Sequence, residues 1–105
     1  MNKRYAKGRR FEYRVRQYFE KNGFVVFRLA GSKPFDLLAF KPGERPLFIE
    51  CKAKPVFDKK QAAFLIDLAS RCNANLVLAL NKRRRIVLKT PAPPVCSFSR
   101  NNEAP

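Results

Sequence analysis

Two short apolar runs each carry an acid where a core residue belongs. Phe35-Asp36-Leu37-Leu38-Ala39-Phe40 has one near its start, and Leu47-Phe48-Ile49-Glu50-Cys51-Lys52 has one near its end. Both runs are aromatic and aliphatic, so both predict strands. Side chains alternate along a strand, which puts Glu50 and Lys52 on one face and Cys51 on the other. The turn signal Lys41-Pro42-Gly43-Glu44 lies between the runs and makes them an antiparallel pair. Asp36, Glu50 and Lys52 then meet at one end of a small sheet. An acid inside an apolar strand costs free energy unless a partner or a cation compensates it. Two carboxylates forced together repel, and a divalent ion relieves that repulsion.

The rest of the chain has the opposite sign. Its 105 residues include 23 Lys and Arg against 8 Asp and Glu, for a net charge of +15 and a pI of about 10.5. Such a field opposes compaction and points to a polyanionic partner, nucleic acid before an acidic membrane. The bases are spread along the chain, and no run approaches the ~18 apolar residues of a membrane span. A hydrophobic fraction of 46% suits a globular chain, and the length suits one domain. Two carboxylates and an ammonium inside so basic a chain can hold a divalent metal and a water beside a phosphate. The residues alone therefore predict a metal-dependent nuclease.

The N-terminal stretch lacks the apolar core of a secretory signal, and Glu12 and Glu20 interrupt its likeness to a transit peptide. Three cysteines, Cys51, Cys72 and Cys96, form no disulfide framework, and without histidine they form no zinc site. Reduced thiols and an intracellular setting, in a cell or a virus-infected host, are the expectation. Cys51 reads as a core residue facing away from the acids, not as a nucleophile, because no histidine could activate it.

Residues 1–22 predict a helix. Phe11, Val15, Tyr18 and Phe19 recur on one stripe, and Asn22-Gly23 stops it. Glu12 falls at the margin of that stripe. Phe24–Leu29 predicts the first strand and Gly31-Ser32-Lys33-Pro34 a turn. Phe35–Phe40 and Leu47–Ala53 complete a meander, which Pro55 closes. Asp58 caps a second helix carrying Ala62, Leu65, Ile66 and Ala69. Leu76–Leu80 reads as a strand covered on both faces. After a turn at residues 81–84, Ile86–Leu88 makes the last strand. The domain is placed at residues 1–90, with 91–105 as a Pro-rich, extended or mobile tail.

Three segments carry a resemblance: Lys7-Gly8-Arg9-Arg10-Phe11-Glu12, Ala30-Gly31-Ser32-Lys33-Pro34-Phe35-Asp36, and Ile49-Glu50-Cys51-Lys52. Together they resemble the PD-(D/E)xK nucleases, and among these the archaeal-type Holliday junction resolvases, which also occur in viruses. The resemblance implies an α/β fold, a restriction-endonuclease-like α-β-β-β-α-β core with a mixed central sheet flanked by helices. It makes Asp36 and Glu50 the main ligands of Mg2+, with Mn2+ able to substitute, and adds a backbone carbonyl of Ile49 or Cys51. Oxygen donors without His or Cys suit those hard ions. Lys52 is expected to orient a water or stabilise transition-state charge. By the same resemblance Glu12 completes the acidic site through bound water, and Ser32 lies near the scissile phosphate. Ser32 also reads as an ordinary turn serine. Two positions depart from the family: Tyr13 stands where Arg usually follows the helix glutamate, and the Pro-rich tail replaces a segment that helps form the family's dimer.

Lys7, Arg9, Arg10 and Lys33 are the candidate phosphate contacts, which position DNA without reading bases. Lys82 and Arg83 read as solvated surface, and Arg84 and Arg85 remain open between the two. Gln61 is noted as a polar helper on the second helix but is left out of the site. A four-way junction cut on two symmetric strands implies a homodimer; no membrane or small-molecule partner is expected. Two other readings stand beside this one. The first is a related nuclease with a different DNA target. The second is a non-catalytic nucleic-acid binder whose acids only form salt bridges, Glu12 with Arg9 or Arg16, Asp36 with Lys33, and Glu50 with Lys52.

Overall fold

The computed structural model describes residues 3–53 and 58–91. The expectations for Pro55, for Cys96 and for the segment 92–105 lie outside the described residues. Helix α1 (Lys3–Lys21) is followed by strand β1 (Val25–Arg28), a single 3-10 turn at Ala30–Ser32, and strands β2 (Leu37–Phe40) and β3 (Leu47–Lys52). Helix α2 (Lys59–Arg71) then leads into β4 (Asn75–Lys82) and β5 (Arg85–Lys89).

The five strands form one sheet in chain order. The first three pair antiparallel, as the short connections require. Strand β3 pairs parallel with β4, because α2 carries the chain back across the sheet, and β5 returns antiparallel to β4. The sheet is therefore mixed and flanked by two helices, the expected architecture.

Each face of the sheet has its own core. Phe11, Val15 and Phe19 of α1 pack on Val26, Leu37, Ala39, Ile49, Val77 and Ala79. On the other face Leu65 and Ala69 of α2 pack with Phe35, Phe48, Leu76 and Leu78. Alternation along β4 feeds both cores, so the uniformly apolar run is buried on both sides. Leu37 is fully buried directly beside Asp36 in sequence. Leu37→Ala should cost about 2–5 kcal/mol, read as a shift of the urea midpoint.

Helix ends follow their local signals. Gly23 takes a φ of +91°, and the Phe24 N–H donates back to the Phe19 carbonyl at 3.0 Å. The Asp58 carboxylate accepts the Lys60 N–H at 2.9 Å and caps α2.

Several expectations need correction. Tyr18 is 42% exposed and leaves the α1 stripe to Phe11, Val15 and Phe19. Glu12 is buried, not marginal. Strand β4 runs two residues further than Leu80, and β5 begins at Arg85, so the turn shrinks to Arg83-Arg84. The regular part of β2 starts at Leu37, although Asp36 still joins its neighbours: its N–H donates to the Ile49 carbonyl at 3.1 Å, and its carbonyl accepts the Leu29 N–H at 3.0 Å.

Candidate active site

The acids converge at the end of the sheet where β2 begins and β3 finishes. Register sets this directly. Leu37 lies opposite Ile49 in the β2–β3 pair, so Asp36 falls beside Glu50 and Cys51. The Cys51 N–H donates to Asp36 Oδ2 at 2.7 Å and fixes that carboxylate against the next strand. Glu50, Asp36 and Glu12 are the three buried charged residues among those described.

Glu50 and Lys52 share a face, as alternation requires, and that face looks toward α2. There Gln61 joins them. Lys52 Nζ donates to Gln61 Oε1 at 3.0 Å, and Gln61 Nε2 donates to Glu50 Oε2 at 3.0 Å. Lys52 Nζ also lies 3.2 Å from Glu50 Oε2, so Lys52 and Gln61 both close on one carboxylate oxygen. The other oxygen, Glu50 Oε1, is buried with no partner. An orphaned buried carboxylate oxygen is costly and asks for a cation or a proton.

The electrostatics agree. Burial first, then the neighbouring Asp36 charge and a hydrogen bond to Asp36, together push the Glu50 carboxyl up from its ordinary 4.5 to about 7 against the opposing pull of Lys52. Two ionised carboxylates are both acceptors, so a hydrogen bond between them needs a shared proton. A divalent ion does the same service without the proton. Among the described residues no three His, Cys, Asp or Glu side chains close on a single point. Two carboxylates with water and substrate oxygens filling the remaining positions is a normal Mg2+ arrangement. The residues present fit such an ion.

Glu12 reaches the site from the α1 side. Its Oε1 accepts from Arg28 Nε at 2.5 Å. Of the two alternative partners, Arg9 and Arg16, Arg16 binds Glu20 at 3.2 Å instead. Glu12, Arg28, Ser32, Asp36 and Cys51 line one cleft of about 210 Å³, with Gly8, Arg9, Phe11 and Ala53 completing its wall. Cys51 packs into the α1-side core, as alternation predicts, but it borders the acids as well. Burial and the nearby carboxylates of Asp36, Glu12 and Glu50 push its thiol far up, which leaves it inert. Lys7, Arg10 and Lys33 are exposed, and Arg9 stands at the cleft wall.

Two residues of the site were missed or set aside in the sequence. Arg28 ends an apolar strand in the way Asp36 begins one, and the same reasoning about a charge in an apolar run would have found it. Gln61 carried no such signal, since a glutamine on a helix is ordinary.

Comparisons with known proteins bear on this site. A family model described as archaeal Holliday junction resolvase (Hjc) matches residues 3–94. The crossover junction endodeoxyribonuclease Hjc of Methanocaldococcus jannaschii is 48% identical over 52 residues, which is 50% of this chain and 38% of that relative. The chain thus matches well under half of that protein's length. A solved structure of Hjc from Archaeoglobus fulgidus, a Holliday junction resolvase, superposes with a TM-score of 0.66 at 27% identity, covering 83% of this chain and 72% of the other.

Proposed function

We propose, from the premise that the chain belongs to the archaeal Holliday junction resolvase family, that it is a metal-dependent endonuclease which resolves four-way DNA junctions by paired symmetric nicks. The observation that carries the reading is the buried Glu50 carboxyl, one oxygen orphaned, beside Asp36 in a chain of charge +15. That arrangement persists at small cost only if a cation occupies it and an anion is brought to it.

Asp36 and Glu50 are the residues that would hold Mg2+ or Mn2+. When bound, such an ion supplies Lewis acidity toward a water and neutralises charge on the phosphate. The chain's own groups prepare the rest. The Cys51 N–H holds Asp36 in place, and Gln61 bonds both Glu50 and Lys52. Lys52 stands ready to orient the attacking water or to meet charge developing on the phosphate. Glu12, fixed by Arg28, faces the α1-side cleft that Asp36 also lines, and acts through water. Ser32 stands in the wall of that cleft, which supports a role in bonding a phosphate oxygen. Lys7, Arg9, Arg10 and Lys33 bind the DNA backbone around it.

A junction offers two equivalent strands, so a twofold homodimer follows. Val25, Phe27 and Phe40 are exposed on β1 and β2, and Phe64 is exposed on α2. These are the apolar surfaces offered for the second copy. Among the described residues no helix is long and apolar enough to cross a membrane.

The test is a side-by-side cleavage assay. With Mg2+, an immobile four-way junction should receive two symmetric nicks while linear duplex of the same sequence stays intact. Equal cutting of both substrates would point to a nuclease with another target, and no cutting of either to a plain binder. The clamp makes a separate prediction. Gln61→Leu should slow single-turnover nicking about 10- to 100-fold, as expected for a group that orients a ligand. Raised Mg2+ should recover part of the loss.

A further inference from the structure

The tip of the β4–β5 hairpin carries four consecutive bases, Lys82, Arg83, Arg84 and Arg85, all exposed. Lys82 pairs with Arg85, so Arg83 and Arg84 alone make the turn. Both have positive φ, 51° and 66°. A two-residue turn of this kind strongly prefers Asn-Gly, because side chains with a Cβ are strained there. Here the two positions are held by arginines, against local preference. Strain kept at a surface position is an indication of function.

Three further observations say what the function is. The first is location. Lys52 lies opposite Leu80 in the parallel β3–β4 pair. The tip therefore projects from the same end of the sheet as the acids, about 10 Å beyond Lys52, or about three base-pair steps along one DNA strand. The second is rigidity. Arg14 of α1 donates through Nη2 to the Arg84 carbonyl and ties the tip to the helix that carries Arg9 and Arg10. The third is charge. Among the described residues the ion pairs Arg16–Glu20, Arg28–Glu12, Lys52–Glu50 and Arg71–Asp67 all lie away from the tip.

We propose that this hairpin tip is a second phosphate-binding site, which grips the backbone of a duplex arm beside the cleaved strand. The proposal rests on the nuclease reading and adds to it a contact outside the cleft. It assigns a binding role to Lys82 and Arg83, read from the sequence as surface, and to Arg84 and Arg85, left undecided there.

The turn chemistry supplies the test. R83N/R84G replaces both arginines with the pair that the backbone prefers, so the full chain should melt at or above the wild-type temperature. Its affinity for a labelled four-way junction, followed by fluorescence anisotropy, should fall about tenfold or more, and the slope of log affinity against log salt should flatten by about two. R83K/R84K should keep most of the affinity. Should the Asn-Gly variant fold poorly, K82Q/R85Q leaves the turn residues untouched and should show the same flattening. Unchanged affinity and slope in a folded variant, with wild-type protein binding normally, would overturn the hairpin site alone. Failure of the wild-type chain to bind DNA at all would overturn the nuclease reading and the hairpin site together.

Discussion

Asp36→Asn is expected to abolish nicking of a four-way junction while leaving junction binding intact. Asparagine keeps an oxygen to accept the Cys51 N–H, which holds Asp36 at 2.7 Å, so the local backbone need not move. What disappears is one of two negative charges facing the same point. A metal held by two carboxylates tolerates the loss of one poorly, because the remaining positions are filled by water and substrate. The rate should fall at least about 10³-fold, the scale of losing a major electrostatic stabiliser. Single-turnover cleavage measures the loss, and anisotropy on the same junction shows that binding survives. Wild-type rates in the variant would mean that Asp36 has only a structural role.

The second large effect concerns stability. Glu50 titrates near 7 in the folded protein against an ordinary 4.5, with burial as the main cause and Asp36 next. Between those two values the native state keeps a proton that the unfolded chain has released. Stability of the metal-free protein should therefore fall as pH rises from about 4.5 to about 7, and change little beyond. The full shift corresponds to about 3 kcal/mol as an upper bound. Urea unfolding in the presence of a chelator measures it, and Glu50→Gln should flatten the profile by most of that amount. At pH 7.5 saturating Mg2+ should restore stability, about 2.7 kcal/mol at a hundredfold excess over its dissociation constant. A wild-type profile that matches Glu50→Gln would remove the argument that this carboxyl is strained without a cation.

These effects rest on a site that was partly legible in the sequence. Asp36, Glu50 and Lys52 could be found because strands impose a period of two, and a charge that breaks an apolar run stands out. The same regularity predicted that Cys51 would turn toward the core and that Leu76–Leu80 would be covered on both faces. Glu12 was harder. On a helix it sits next to Phe11, and its carboxylate is paired with Arg28 from another element, 16 residues away. No local pattern reports a partner at that distance. Gln61 was visible only as a residue soon after the Glu-x-Lys strand. Its two hydrogen bonds form because α2 crosses back over the sheet, which is a property of the β3–β4 connection and not of the residues around it. The hairpin tip gave no clear signal for a related reason. A run of bases reads as solvated surface, or stays undecided, until the register shows that two of them occupy the turn and that the turn lies at the same end of the sheet as the acids.

The contrast between one small negative pocket and a strongly positive surface is the claim on which the functional reading depends. Diffraction from crystals soaked in Mn2+, recorded at the manganese edge, addresses it directly. One anomalous peak per chain is expected, bounded by Asp36 and Glu50 oxygens at roughly 2.0–2.2 Å, near the octahedral distances of small hard cations, and absent from Glu50→Gln crystals. A map with no peak there, or with a peak of equal height in the variant, would contradict it.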